Sequence, residues 1–252
     1  MREIVIGAAQ MGPIQRYDSR EVVVARMIVL LEEAIAAGCM LVMFPELCLT
    51  TFFPRWYMED EREVATWFEA KMPNAATQPL FDRARTAGVA ISFGYAEQTP
   101  EGQAFNTQLL TDPDLNIIGK YRKVHLPGHA EFDPDRAFQH LEKRYFKPGN
   151  LGFPVFRNMN AWMGMLICND RRWPESYREM GLQGVEMILC GYNTPIHYVP
   201  DPSQDILQGF HNSLVMQSGA YQNGTWVVGV AKGGVEEGVD SLGQTCIVAP
   251  SG

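Results

Sequence analysis

The sequence predicts an α/β layered fold of one domain with hairpins inserted, and three observations carry the prediction. Short apolar runs that read as buried strands recur along all 252 residues. Segments with helical spacing alternate with them, which is the pattern of strands and helices sharing a layered core. Several strands also come in consecutive pairs, with turn residues such as Asp112-Pro-Asp114 between them. No internal repeat, low-complexity stretch or linker divides the chain, so residues 1–252 are expected to form a single domain.

Taken in order, Ile4 to Ala9 is an apolar strand. Asp18 to Ala37 reads as a helix, with Asp18 or Ser19 as its cap, Glu21 in its first turn and Gly38 ending it. Met40 to Phe44 is a strand halted by Pro45. Glu59 to Ala70 and Gln78 to Ala87 read as helices, the second closed by Gly88. Strands follow at Val89 to Tyr95, Phe105 to Thr111 and Asn116 to Tyr121. Residues 122–150 are charged and lack periodicity, so they form a long loop. Phe132, Phe138, Tyr145 and Phe146 argue that this loop is ordered. Phe153 to Phe156 and Trp162 to Ile167 are strands, and Pro174 to Gly181 is a helix opened by its proline. Val185 to Leu189 is a strand and Asp205 to Gln222 a helix. Thr225 to Val230 and Gln244 to Val248 are strands. Ala249-Pro-Ser-Gly252 reads as a hairpin turn, so the sequence is expected to stop mid-hairpin.

Composition narrows the function. A 46% hydrophobic content supports a sizeable core, and a formal net charge of −8 is wrong for wrapping a phosphate backbone. No apolar run approaches the ~20 residues that span a bilayer. The first residues read as a strand rather than a signal peptide. Five cysteines, odd in number and without C-x-x-C spacing, point away from a disulfide framework or zinc site and toward a reducing cytoplasm.

Three segments end a buried strand with an ionisable side chain. Leu41-Val-Met-Phe-Pro-Glu46 holds Glu46 just past its strand. Gly119-Lys-Tyr-Arg-Lys123 does the same for Lys123, and Trp162-Met-Gly-Met-Leu-Ile-Cys168 for Cys168. Taken alone, Glu46 reads as a surface carboxylate, Lys123 as part of a solvated basic loop, and most cysteines as small buried hydrophobes. That last description is accepted for Cys39, Cys48, Cys190 and Cys246. Together, a carboxylate, an ammonium and a thiol at one sheet edge can run nucleophilic acyl transfer. An ordinary glutamate at pKa ~4.3 and cysteine at ~8.5 are mismatched for proton transfer. Lys123 and the nearby Arg171 and Arg172 are expected to favour the thiolate.

Phe44-Pro-Glu46, Lys120-Tyr-Arg-Lys123 and Cys168 resemble the three signature segments of the nitrilase superfamily of carbon–nitrogen hydrolases. Phe44 to Trp56, Lys120 to His129, Phe138 to Phe146, Ile167 to Glu175 and Gly191 to Pro195 are similar to the N-carbamoyl-D-amino acid amidohydrolases within it. The resemblance covers nearly the whole chain. It implies a four-layer α-β-β-α sandwich and hydrolysis of the ureido C–N bond of a small N-carbamoyl amino acid, without metal or cofactor. It implies Glu46 as general base, Lys123 as oxyanion stabiliser, Cys168 as nucleophile and Glu142 as the second glutamate that orients the lysine. Arg171, Arg172, Asn193 and Thr194 match residues that hold the substrate, chiefly its carboxylate. Adjacent arginines cannot point the same way on a strand, so one is expected to face the substrate and the other to brace the loop. His125, His140 and His211 match histidines lining or bracing the pocket, with His140 the strongest candidate for a contact. Relatives continue past the point where this sequence stops, which leaves the C-terminal hairpin and tail as expected absences. A homodimer or homotetramer is expected if that segment is dispensable. Hydrolysis of N-carbamoyl-β-alanine, carbamoylputrescine or a simple amide, or a truncated inactive or non-catalytic fragment, are the alternatives.

Overall fold

Alternation along the strands decides how the layers stack. In the computed structural model, which describes residues 3–252, Leu41 and Met43 of one strand face one core while Val42 between them faces another. That two-sided burial, in a run with no polar position, is what a strand between two layers requires.

One sheet holds β1 (Ile6–Ala8), β2 (Leu41–Met43), β3 (Ala90–Gln98), β4 (Ala104–Thr111) and β5 (Ile117–Arg122), in that spatial order. Its first three strands are parallel and its last two antiparallel. The other holds β6 (Val155–Asn158), β7 (Ala161–Ile167), β8 (Met187–Tyr192), β9 (Trp226–Ala231) and β12 (Cys246–Val248), ordered β12-β9-β8-β7-β6. Helices α1 (Arg20–Ala36) and α3 (Gln78–Ala87) pack through Val23, Met27, Leu31, Leu80, Phe81 and Ala84 onto the first sheet. Helices α5 (Pro174–Leu182) and α6 (Gln208–Asn223) cover the second, and Leu41, Met43, Leu110 and Tyr121 share the central core with Met163 and Met165. The result is the α-β-β-α sandwich that the resemblance implies.

Most predicted elements are present within a few residues of their expected ends. Ser19, not Asp18, caps α1 by accepting from the Val22 N–H. Three readings are corrected. The helix expected over Glu59 to Ala70 is only α2 (Glu61–Ala65). Beyond it the Glu69 N–H donates to Ala96 O at 2.8 Å, filling the part of β3 that β2 is too short to reach. The helix expected from Asp205 begins as a 3-10 turn over Pro202–Leu207, capped by Asp201, before α6 starts. A separate hairpin, β10 (Gly233–Glu236) with β11 (Val239–Leu242), was missed. Its strands carry no apolar run. The only signal was Glu237-Gly238, both at positive φ as a tight hairpin turn demands. The long loop holds one helical turn, α4 (Glu142–Tyr145).

Candidate active site

Glu46 enters between the two sheets on the turn that follows β2. Two glycines make room for it. A side chain at Gly94 of β3 would put its Cβ 2.7 Å from Glu46 Cα, and one at Gly191 of β8 would put it 2.8 Å from the Glu46 nitrogen. The turn is then fastened to β3, since the Gly94 N–H donates to Pro45 O at 3.0 Å and the Cys48 N–H to Gly94 O at 2.9 Å. Lys123 is the residue after β5, and its N–H donates to Asn106 O at 2.8 Å. Cys168 is the residue after β7 and opens a 3-10 turn over Cys168–Arg172. Its φ of 48° is strained for a side chain other than glycine, a sign that the surroundings hold it there.

These three segments converge. Lys123 Nζ donates to Glu46 Oε1 at 2.8 Å and to both oxygens of Glu142, at 2.8 and 2.7 Å. None of the three side chains is exposed. Both oxygens of Glu46 are engaged: Asn106 Nδ2 donates to Oε1 at 2.8 Å, and the Asn193 N–H to Oε2 at 2.9 Å. His140 Nε2 lies 3.0 Å from Glu142 Oε1. Cys168 Sγ lies 3.5 Å from Asn193 O, and the thiol lines a cavity of about 420 Å³.

Electrostatics follow from that packing. Burial pushes the Lys123 ammonium down, but the Cys168, Glu142 and Glu46 charges outweigh it and hold the amine above its ordinary range. Burial works against the Glu142 carboxylate, yet Lys123 and His140 hold its pKa down. The cations act on the Cys168 thiol in the expected direction but do not prevail. Burial first, then the Glu46 charge, push it up, and Lys123 and Arg171 offset only part of that. Burial and the Glu46 charge thus favour the neutral form of the thiol, which calls for a base as attack begins.

The two arginines point different ways, although they sit on a 3-10 turn and not on the strand from which that was expected. Arg172 lines the cavity, with only Gln208 Oε1 near its guanidinium, at 3.4 Å, and no carboxylate partner among the described residues. Arg171 does not line it and instead braces the Cys168 turn. It is 1% exposed, stacks over the Tyr192 ring, and donates to Cys168 O at 2.6 Å, to Thr194 Oγ1 and to Asn212 Oδ1. Asn193, Thr194, His140 and His211 line the cavity. His125 does not. Its ring and its N–H meet Asp170 Oδ1 at 2.8 Å, and the ring stacks on Trp173. Among the described residues no group of three His, Cys, Asp or Glu is placed to hold a metal ion.

Two residues escaped the sequence reading. Asn106 bridges Glu46 and Glu142, and its signal was the polar run Asn106-Thr-Gln108 inside a buried strand. Asp170 accepts from the Ile167 N–H, the Tyr121 hydroxyl and His125, pinning the Cys168 turn to the segment after Lys123. Its signal was an acid two residues past the cysteine, in the polar stretch where the apolar run stops.

Four layers with a buried carboxylate, ammonium and thiol at the strand ends of two facing sheets are the fold and the set of groups that the resemblance implies. The chain belongs to the carbon-nitrogen hydrolase family, whose model matches residues 5–252. It is 32% identical over 222 residues to a nitrilase of Pyrococcus abyssi, covering 88% of this chain and 72% of that one. An N-carbamoylputrescine amidase of Arabidopsis thaliana is 30% identical over 222 residues, covering 88% and 68%. A carbon-nitrogen hydrolase from Helicobacter pylori G27 shares the fold with a TM-score of 0.82 at 22% identity, covering 98% of this chain and 83% of that one. No helix among the described residues is long and apolar enough to cross a membrane.

Proposed function

We propose that the chain hydrolyses N-carbamoyl-D-amino acids to the D-amino acid, ammonia and carbon dioxide. The observation that carries the substrate class is the charge of the cavity wall. Arg172, Arg136, His140, His197 and His211 line it, and no aspartate or glutamate does. Arg136 is answered by Asp133 at 2.7 Å and His197 by Asp205 at 2.8 Å, which leaves Arg172 as the arginine free to take a carboxylate. A guanidinium fork suits that task. The Thr194 hydroxyl accepts from Arg171, so its own hydrogen is available to the same carboxylate. A cationic polyamine end would meet repulsion there. The D-configuration rests on the Cys168 to Trp173 and Phe53 to Trp56 segments, which resemble the D-specific amidohydrolases.

In this reading Cys168 Sγ attacks the ureido carbonyl carbon while Glu46 takes the thiol proton. The Lys123 ammonium faces the negative charge that forms on the carbonyl oxygen. The C–N bond to the terminal nitrogen breaks, Glu46 returns the proton, and ammonia leaves a thiocarbamate on Cys168. Water, deprotonated by Glu46, then releases a carbamate that falls apart to carbon dioxide and the amino acid. Glu142 holds Lys123, and Asn193 holds Glu46 through its N–H and through Nδ2 to Glu46 O at 2.9 Å.

Ammonia release from N-carbamoyl-D-phenylalanine, its L-enantiomer, N-carbamoyl-β-alanine and N-carbamoylputrescine tests this. Turnover of the D-form, with KM raised about ten-fold or more in Arg172→Lys, is the expected result. Turnover of N-carbamoylputrescine with the D-form untouched contradicts the substrate class.

A further inference from the structure

Glu236, at the end of β10, is 1% exposed and lies outside the site just described. It nevertheless gathers four donors. Oε1 accepts from the Phe52 N–H at 2.7 Å and from Arg55 Nη1 at 3.0 Å, and Oε2 accepts from the Ile14 N–H at 2.9 Å and from Lys232 Nζ at 3.1 Å. Lys232 Nζ also donates to Thr50 O at 2.7 Å. One carboxylate between two buried cations is a costly arrangement, and apolar packing would serve stability as well or better.

What it fixes is the stretch from Thr50 to Arg55, a few residues beyond Glu46. That stretch is in turn zipped to the segment before α4. The Leu141 N–H donates to Pro54 O at 2.8 Å and the Gln139 N–H to Arg55 O at 3.2 Å. The edge-on contact between the Phe52 and His140 rings, at 5.6 Å, lies between those bonds. His140 then meets Glu142, and Glu142 holds Lys123 with both oxygens. We infer that Glu236 is a positioning residue for the Glu46–Lys123–Cys168 site, acting through Phe52, His140 and Glu142. The inference rests on the hydrolase reading above.

The test compares Glu236→Gln and Glu236→Asp with Leu31→Ala, a core truncation under α1 that loosens the fold away from the site. Two readouts are used: kcat and KM on N-carbamoyl-D-phenylalanine, and the pH dependence of Cys168 alkylation by iodoacetamide, followed on the Cys168 peptide. Glu46, Lys123, Arg171, Glu142 and Arg172 are the charges that act on the thiol. Lys123 is first among the cations that hold it down, so a misplaced lysine moves the alkylation profile to higher pH. The Glu236 variants are expected to lose about ten-fold or more in kcat, with KM within about two-fold, and to show that shift. Leu31→Ala should lower Tm and leave both unchanged. A folded Glu236 variant with wild-type kcat and profile overturns the inference, as does a Leu31→Ala variant that reproduces the effects. If Glu236→Gln does not fold, Glu236→Asp, which keeps the charge but is too short for all four donors, decides. Failure of both to fold assigns the carboxylate to folding alone and also overturns it. Retained turnover in Cys168→Ala would instead sink the underlying reading, and a silent wild type would still be read through alkylation.

Discussion

A lysine with no exposed area, held by two carboxylates, states the chemistry of this site more sharply than the cysteine does. Lys123 is held in its charged form by the Cys168 sulfur once that ionises, and by the Glu142 and Glu46 carboxylates throughout, against the effect of its burial. In the proposed mechanism its ammonium is in place before charge develops on the carbonyl oxygen. Lys123→Ala should lower kcat by roughly two orders of magnitude or more while moving KM little. Steady-state kinetics decide it: a KM effect with kcat preserved would make the lysine a binding group. At this scale the sequence was most legible where a side chain ends a strand. Glu46, Lys123 and Cys168 could be named from that rule because three different strands finish at one edge. Arg171 could not be placed, since residue type alone does not say which of two neighbouring arginines turns inward. The direction of the Cys168 shift was misread because sequence neighbours show cations but not burial or a facing glutamate.

Among the elements, the turn after β2 depends on two glycines from different sheets. The Gly94 and Gly191 positions each leave less than 3 Å for a methyl group beside the Glu46 backbone. Gly191→Ala should displace that backbone and disturb the Asn193 N–H bond to Glu46 Oε2. Because a displacement of about 1 Å can cost 100-fold, kcat should fall by roughly that factor in a chain that still folds. Wild-type kcat in folded Gly191→Ala would show that the turn has room. Neither glycine was visible as special in the sequence, for their role exists only once two sheets face each other. The helices and central strands were legible through capping, apolar runs and their stops. The β10–β11 hairpin was not, because its strands bury polar groups such as Glu236 that a hydrophobic pattern passes over.

For the whole molecule, buried carboxylates set the acid limit. Three have depressed pKa values despite the opposing effect of burial. Glu97 is held at about 2 by Arg122, Lys120 and Thr107. Glu142 is lowered by Lys123 and His140, and Glu236 by Lys232 and Arg55. A carboxyl with a folded pKa below its unfolded value of ~4.3 stabilises the fold above that value, and the benefit is lost as pH falls through the folded pKa. Unfolding free energy from urea titrations should therefore be level in this respect above about pH 5 and decline steadily toward about pH 2. Flat stability across that window would mean that these pairs contribute nothing. The four-layer arrangement itself was legible only through resemblance. Alternating strands and helices predict layers, but two-sheet stacking emerges from strands such as β2 burying both faces in different cores.

The central claim is that Cys168 carries the reacting group. Acid-quenching the protein during turnover of N-carbamoyl-D-phenylalanine and measuring the mass of the Cys168 peptide tests it most directly. The account predicts that this peptide gains the mass of the substrate less ammonia, and that Cys168→Ala shows neither the gain nor ammonia release. Undiminished ammonia release by Cys168→Ala would contradict it.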